Sequence, residues 1–359
     1  MSLLLGIDLG TSYFKVGLFG ADGALRGLGR VAVPKRSPAP GRSELAVDDF
    51  WRILREGLGE ALAQAKATTR DIAAVSYSSQ ANTFVLLDRS DTPLTPLVIW
   101  NDHRAAELGG AVAEFGRSER FARTAGFTGL SGEFAPAKWR WYQWHEPATW
   151  RRAARVLTIS DYFTYALTGE AGSGLERLAD ASISTGTVLA ALRLVDAVEP
   201  SPGCYHGPHC DGWRFYRLAF DPAGATQLDD YQAQQAPQLS VAELAALAGT
   251  VAYDAPPAAP ADANGRHARA VRALMERISL AHRALLRQVQ GGAPIRRVIA
   301  TGGGARSPVW LQINADVLNA TIVAPRSQER ACLGAAAFAA VAAGLHPTRD
   351  AALGAMVHP

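Results

Sequence analysis

Two apolar, β-rich runs, Leu3–Asp8 and Phe14–Phe19, are parted only by a Leu-Gly-Thr-Ser break, and no other stretch constrains the chain as tightly. A break this short makes a hairpin. Its first strand ends on a carboxylate, Asp8, and the turn offers backbone N–H groups, the hydroxyls of Thr11 and Ser12, and then Lys15. N–H groups that converge in this way receive an anion, and a carboxylate beside them is the usual holder of Mg²⁺, which takes one or two carboxylates with phosphate oxygens and water. A plain hairpin with a solvated lysine is the competing reading.

Ala21-Asp22-Gly23 turns the chain into a third run ending near Val33, which completes an antiparallel meander. After the Pro/Gly/Ser-rich loop 34–43, Asp48 or Asp49 is expected to cap a helix whose Phe50, Trp51, Leu54, Leu58 and Leu62 recur at three- and four-residue spacing. Strands at Ile72–Ser76 and Phe84–Leu87 and an apolar run ending at Trp100 then make an α/β domain. One helical stretch is expected from about Pro136 to Leu167. It carries Trp139, Trp141, Trp144 and Trp150, read as core rather than as a platform for nucleic-acid bases. The charge balance supports that choice: 36 Lys and Arg against 33 Asp and Glu leave +3, and only four of the cations are lysine, so no basic footprint exists for nucleic acid.

With 359 residues, 48% apolar and 19% charged, the chain has the size of two domains and a composition that excludes charge-driven disorder. The longest apolar run, Leu333–Leu345, is short of the roughly 18 residues of a membrane helix. Three cysteines make no disulfide framework, so a soluble protein of a reducing cytoplasm is expected, with no membrane partner and with a homodimer left open. Cys204, His206, His209 and Cys210 place four zinc-competent side chains within seven residues, but structural zinc sites separate two ligand pairs by a dozen or more, so a metal site is disfavoured here.

The last third repeats α/β logic. A long helix is expected over Gly265–Gln290, a strand at Arg297–Ala300, and a helix capped by Ser307 with Pro308 in its first turn. Thr321–Ala324 is another strand, Cys332–Ala343 a closing helix, and 252–264 a linker. The loop Thr301-Gly302-Gly303-Gly304 joins strand to helix N-terminus, a ready anion or nucleotide site. It lacks the GxGxxG spacing, so a dinucleotide fold is disfavoured. Ser184-Thr185-Gly186-Thr187 is a further hydroxyl-bearing turn.

GIDLGTSYFKVGLF at the start, SSQ at 78–80, VIWNDHRA at 98–105, ISTGT at 183–187, RALME at 272–276, ATGGGARSPVWLQINADVL at 300–318 and the final LGAAAFAAVAAG occur in an order that resembles the FGGY family of carbohydrate kinases, most closely its xylulokinase-type branch. The resemblance implies two ribonuclease-H-like (actin/hexokinase-like) α/β domains flanking a cleft, here with internal deletions, divided as 1–187 and 188–350. It implies ATP and Mg²⁺ as cofactors and a small-molecule sugar as substrate. Asp8 is expected to place Mg²⁺; Thr11, Ser12 and Lys15, and then Gly186 with Thr187, to hold phosphate; and Gly303 and Ser307 to lie along the adenosine. Gln80, Ala81, Asn82, Trp100, Asp102 and Arg104 match the sugar-binding positions, where pentulose kinases usually carry Met-His after the glutamine.

One departure bears on chemistry. The family carries a GGxDQ-like segment whose aspartate is the general base, between positions that here run directly from Asp180-Ala181-Ser182 into Ile183. A second contraction precedes the RALME helix. The expected activity is phosphoryl transfer from ATP to a ketose or polyol, a xylulose-like pentulose first. The alternative is a catalytically impaired homologue that binds nucleotide or a partner. A sugar-independent ATPase of the same superfamily is opposed by the Trp100–Arg104 motif.

Overall fold

A computed structural model of the chain describes residues 2–107, 110–126, 129–168, 182–185 (backbone only), 189–208, 214–221, 224, 226–251, 262–291, 295–324, 326–327 and 329–358. It divides into two compact units. One comprises Met1–Glu119, Gly129–Glu176 and Glu329–His358; the other Arg120–Thr128 and Arg177–Gln328. Glu329–His358 therefore fold with the first unit, whereas a division at 187 follows the chain.

In the first unit, β1 (Leu3–Leu9), β2 (Tyr13–Phe19) and β3 (Leu25–Ala32) form the expected meander, with Leu9 opposite Phe14 and Lys15 opposite Arg30. After β4 (Glu44–Leu45) and α1 (Val47–Ala65), β5 (Ile72–Ser79) returns parallel to β1, giving the order β3-β2-β1-β5. The helix begins at Val47 with Ala46 as its cap residue. Asp48 and Asp49 thus stand in its first turn, where carboxylates favour the positive end of the helix dipole, instead of capping it. Phe50, Ile53, Leu54 and Ala61 bury its apolar face against the sheet.

A second sheet, β4-β7-β6-β8, contains β6 (Phe84–Leu87), β7 (Leu97–Val98) and β8 (Arg155–Thr158). Helices α2 (Gly110–Arg117) and α3 (Glu119–Ala125) precede α4 (Ala135–His145) and α5 (Pro147–Arg152), and α6 (Ile159–Thr168) follows β8. The single helix expected over 136–167 is thus three helices and a strand. Pro147 cannot continue α4, and Val156 and Leu157 pair with β6. Trp139, Trp141 and Trp150 pack on a core of Phe84, Leu86, Val98 and Tyr142, while Trp144 is half exposed beneath the Arg140 guanidinium.

The second unit holds β9 (Ser182–Thr185), β10 (Leu189–Val195), β11 (Tyr205–Pro208), β12 (Phe215–Asp221), α7 (Thr226–Gln235), α8 (Val241–Ala248), α9 (Ala263–Val289), β13 (Arg297–Gly302), α10 (Pro308–Leu318) and β14 (Thr321–Val323). Its sheet order is β11-β12-β10-β9-β13-β14. Strands β12, β10 and β9 are antiparallel and β13 lies parallel to β9, the same pattern as β3, β2, β1 and β5. The duplicated α/β plan is present in both units.

The chain then returns to the first unit as α11 (Arg330–Ala342) and α12 (Arg349–Met356). Helix α11 lies so close to β1 that a Cβ at Gly6 would overlap the Cys332 carbonyl. No helix among the described residues is long and apolar enough to cross a membrane.

Candidate functional site

Asp8 is the last polar residue of β1 before the Gly10–Ser12 turn, and its register partner on β2 is Lys15. Lys15 Nζ lies 3.9 Å from Asp8 Oδ2 and 2.9 Å from Glu329 Oε2, on the residue that precedes α11. Glu329 is almost wholly buried, Asp8 and Lys15 partly so. Burial raises the Asp8 carboxyl above the usual range; the Lys15 ammonium opposes that rise and the Glu329 carboxylate adds to it. One ammonium thus stands against two carboxylates, a donor set that would fit a divalent cation with Asp8 as its ligand. Beside Glu329, Cys332 donates to the Lys15 carbonyl at 3.6 Å, and its thiol is pushed up by burial first and then by the two carboxylates.

Across the same end of the sheet, Gln80 extends the β1–β5 ladder, its N–H donating to Leu9 O. Its amide nitrogen donates to Gly10 O at 3.2 Å, while its carbonyl oxygen accepts from Thr83 at 2.9 Å and Thr11 at 3.4 Å. The Trp100 indole donates to the Thr11 hydroxyl at 2.9 Å, and the Trp100 backbone N–H to the Thr83 hydroxyl at 3.0 Å. Ala81 is exposed, and Asn82 takes a left-handed conformation (φ 61°) that asparagine tolerates better than most residues.

Asp102 and Arg104 face each other rather than solvent, with side chains 0% and 1% exposed. Arg104 gives Nε and Nη2 to the two Asp102 oxygens, Nη2 also to Glu44 at 2.5 Å, and Nη1 to the Tyr142 hydroxyl at 2.7 Å. Asp102 Oδ2 accepts the Ser43 N–H at 2.7 Å. Burial alone would raise the Asp102 carboxyl, but these bonds hold it below the usual carboxylate range.

In the second unit the two segments expected to hold nucleotide share one end of one sheet. Thr185, the last residue of β9, is in register with Gly302, the last of β13. Gly186 and Thr187, which connect β9 to β10, lie outside the described residues, as does Asp180. Gly303 opens a short 3₁₀ turn, and the Ser307 hydroxyl accepts the Trp310 N–H as the cap of α10. Cys204 and His206 sit at and beside the start of β11, with His206 Nδ1 2.8 Å from Gly126 O and its imidazole pKa lowered by burial. His209 and Cys210 lie outside the described residues, and no cluster of three metal-ligating side chains occurs among those described.

Two residues of this region have no local signal in the sequence. Glu329 arrives from far along the chain. Lys138 is completely buried and gives its ammonium to Ile99 O at 3.1 Å and Trp100 O at 2.5 Å.

A xylulose kinase of Streptomyces coelicolor is 32% identical over 169 residues, 47% of this chain and 34% of the relative. A glycerol kinase of Trichlorobacter lovleyi is 30% identical over 194 residues, 53% of this chain and 38% of the relative. The chain thus spans about a third of the length of the curated relatives it matches. The crystal structure of a xyloylose kinase from Brucella ovis superposes with a TM-score of 0.79 at 20% identity, covering 98% of this chain and 92% of that one, a likeness of fold. Residues 3–191 match the N-terminal domain, and residues 214–343 the C-terminal domain, of one family, and the chain belongs to it: the FGGY family of carbohydrate kinases.

Proposed function

We propose that the protein transfers the γ-phosphoryl group of ATP to a hydroxyl of a ketose or polyol, with a xylulose-like pentulose as the favoured acceptor. The observation that carries this reading is the hydrogen bond from Trp100 Nε1 to Thr11 Oγ1. It ties the segment that resembles a sugar site to the turn that resembles a phosphate loop. In this reading Thr11, Ser12 and Lys15 receive the transferring phosphoryl group, and Gly186 with Thr187 the remaining phosphates. Gly303 and Ser307 lie along the adenosine, and Gln80, Ala81, Asn82 and Trp100 line the acceptor. Asp8 would hold the Mg²⁺ that accompanies ATP, and that ion would neutralise charge developing on the phosphoryl oxygens. The two buried free thiols, Cys204 and Cys332, suit a reducing cytoplasm.

The test is ATP-dependent phosphorylation across a panel of ketoses and polyols that includes xylulose and glycerol, with Asp8→Ala as the inactive control. Turnover on no acceptor would overturn the reading. One sequence observation favours a second reading, an impaired homologue that retains nucleotide: the segment that supplies the family's general base is missing before Ile183. Loss of general-base help costs about 10² to 10⁴ in rate. Calorimetric ADP binding without turnover would select this reading over the first.

A further inference from the structure

Burying an ammonium is costly, and a buried ion pair or charge is weak evidence of stabilisation. Lys138 nevertheless stands in the first turn and a half of α4 with its side chain fully enclosed. Burial pushes its ammonium down to about 8, the Asp102 carboxylate working against that fall and the Arg104 guanidinium with it. It remains charged at neutral pH, and both hydrogen bonds it is seen to make go to backbone carbonyls of a single short segment, Ile99 and Trp100.

That segment is gripped at both ends by the same helix face. Tyr142, one turn beyond Lys138 on α4, accepts the Arg104 guanidinium, which in turn holds Asp102. Trp100 is thereby fixed on three sides: its N–H by Thr83, its carbonyl by Lys138, and its indole by Thr11. A residue tied through both peptide groups has little freedom left in φ and ψ, so its indole direction follows from where α4 sits.

We propose that Lys138 is a positioning residue that fixes the Ile99–Trp100 backbone and so aims the Trp100 indole at Thr11, with Asp102 and Arg104 anchoring the far end of the segment instead of touching the acceptor. The consequence for the acceptor rests on the kinase reading above; the consequence for Trp100 does not. On this account α4, which contributes no residue to the expected acceptor contacts, sets the shape of the acceptor side through one buried cation.

The experiment compares wild type with Lys138→Met, which keeps the length of the side chain and removes its donors. The Trp100 indole N–H resonance is assigned in a ¹⁵N-labelled sample by its loss in Trp100→Phe. In Lys138→Met that resonance is expected to shift and exchange faster. The acceptor KM is expected to rise about tenfold, the size expected for one lost positioning contact, while the ATP KM stays within about twofold. An unmoved indole resonance in the folded variant overturns the proposal, and so does a parallel rise in both KM values. If Lys138→Met does not fold, Lys138→Gln, which can still donate to one of the two carbonyls, is held to the same criteria. A wild type that turns over no acceptor sinks the kinase reading, and the indole resonance still decides the role of Lys138.

Discussion

Lys15 Nζ and Glu329 Oε2 lie 2.9 Å apart although the two residues stand near opposite ends of the chain. Lys15 is the cation of the candidate phosphate turn, and its second carboxylate neighbour, Asp8, is farther off at 3.9 Å. Glu329 therefore sets where the ammonium points. Glu329→Gln keeps the shape and removes the charge, so kcat/KM for ATP should fall about tenfold, against a loss of about 10² or more for Lys15→Ala, which removes the charge donor itself. Steady-state kinetics with ATP varied checks the order; an unchanged kcat/KM in Glu329→Gln would show that Glu329 does not set the position of the ammonium.

Thr11 accepts from Trp100 and donates to Gln80, so one hydroxyl joins three segments. Thr11→Val preserves the β-branched shape while leaving the indole N–H and the Gln80 oxygen each one partner short. A loss of about 1 to 2 kcal/mol in transition-state stabilisation is expected, close to tenfold in kcat/KM for the acceptor. Unchanged acceptor kinetics in the Thr11→Val enzyme would remove the observation on which the proposed function stands.

Lys138 also makes a pH prediction about folding. Its pKa is about 8 in the fold against 10.5 unfolded, so between those values the unfolded chain binds more protons, and stability from this group rises with pH. Below pH 8 both states are protonated and the full cost of the buried charge is present. The span from 8 to 10.5 corresponds to up to about 3 kcal/mol. Urea midpoints of the first unit's unfolding, followed at about pH 7.5 and about pH 9.5 to bracket the folded-state value, should separate less in Lys138→Met than in wild type. The same separation in both proteins would assign the slope to other groups.

Close packing of α11 on β1 gives a purely structural test. With the Cys332 carbonyl where an added Cβ at Gly6 would sit, Gly6→Ala must push the helix outward. Overpacking of this kind costs about 1 to 3 kcal/mol. Because α11 begins at Glu329's neighbour, Lys15 loses its partner at the same time. Thermal unfolding and ATP kinetics should deteriorate together in this variant, whereas Glu329→Gln should affect mainly the second.

How much of this is legible in the sequence depends on the range of the interaction. The meander of β1 to β3, the cap of α10, and the strands Phe84–Leu87 and Arg297–Ala300 follow from neighbours in the chain, and the turn chemistry alone draws attention to Asp8 and Lys15. Residues 155–158 do not stand out, since four residues between helices carry no distinguishable period, and only pairing with β6 makes them a strand. Asp48 and Asp49 suggest a cap because acidic residues are favoured both at and just inside a helix start. Asp102 and Arg104 are recognisable as a motif, yet their burial against Glu44 and Tyr142 depends on residues far from them. Lys138 and Glu329 are invisible for the same reason. Lysine and glutamate are ordinarily surface residues, and nothing beside either one reveals a partner 38 residues away or at the other end of the chain.

The return of α11 to β1 fixes an order of events during synthesis. A nascent chain that has emerged only through β14 has its entire meander available, but Gly6 faces no helix and Lys15 has no Glu329. The unit translated first is thus completed last, contrary to the usual progression from N-terminus to C-terminus. Until the ribosome releases the segment that carries α11 and α12, that unit holds one uncovered face of its sheet.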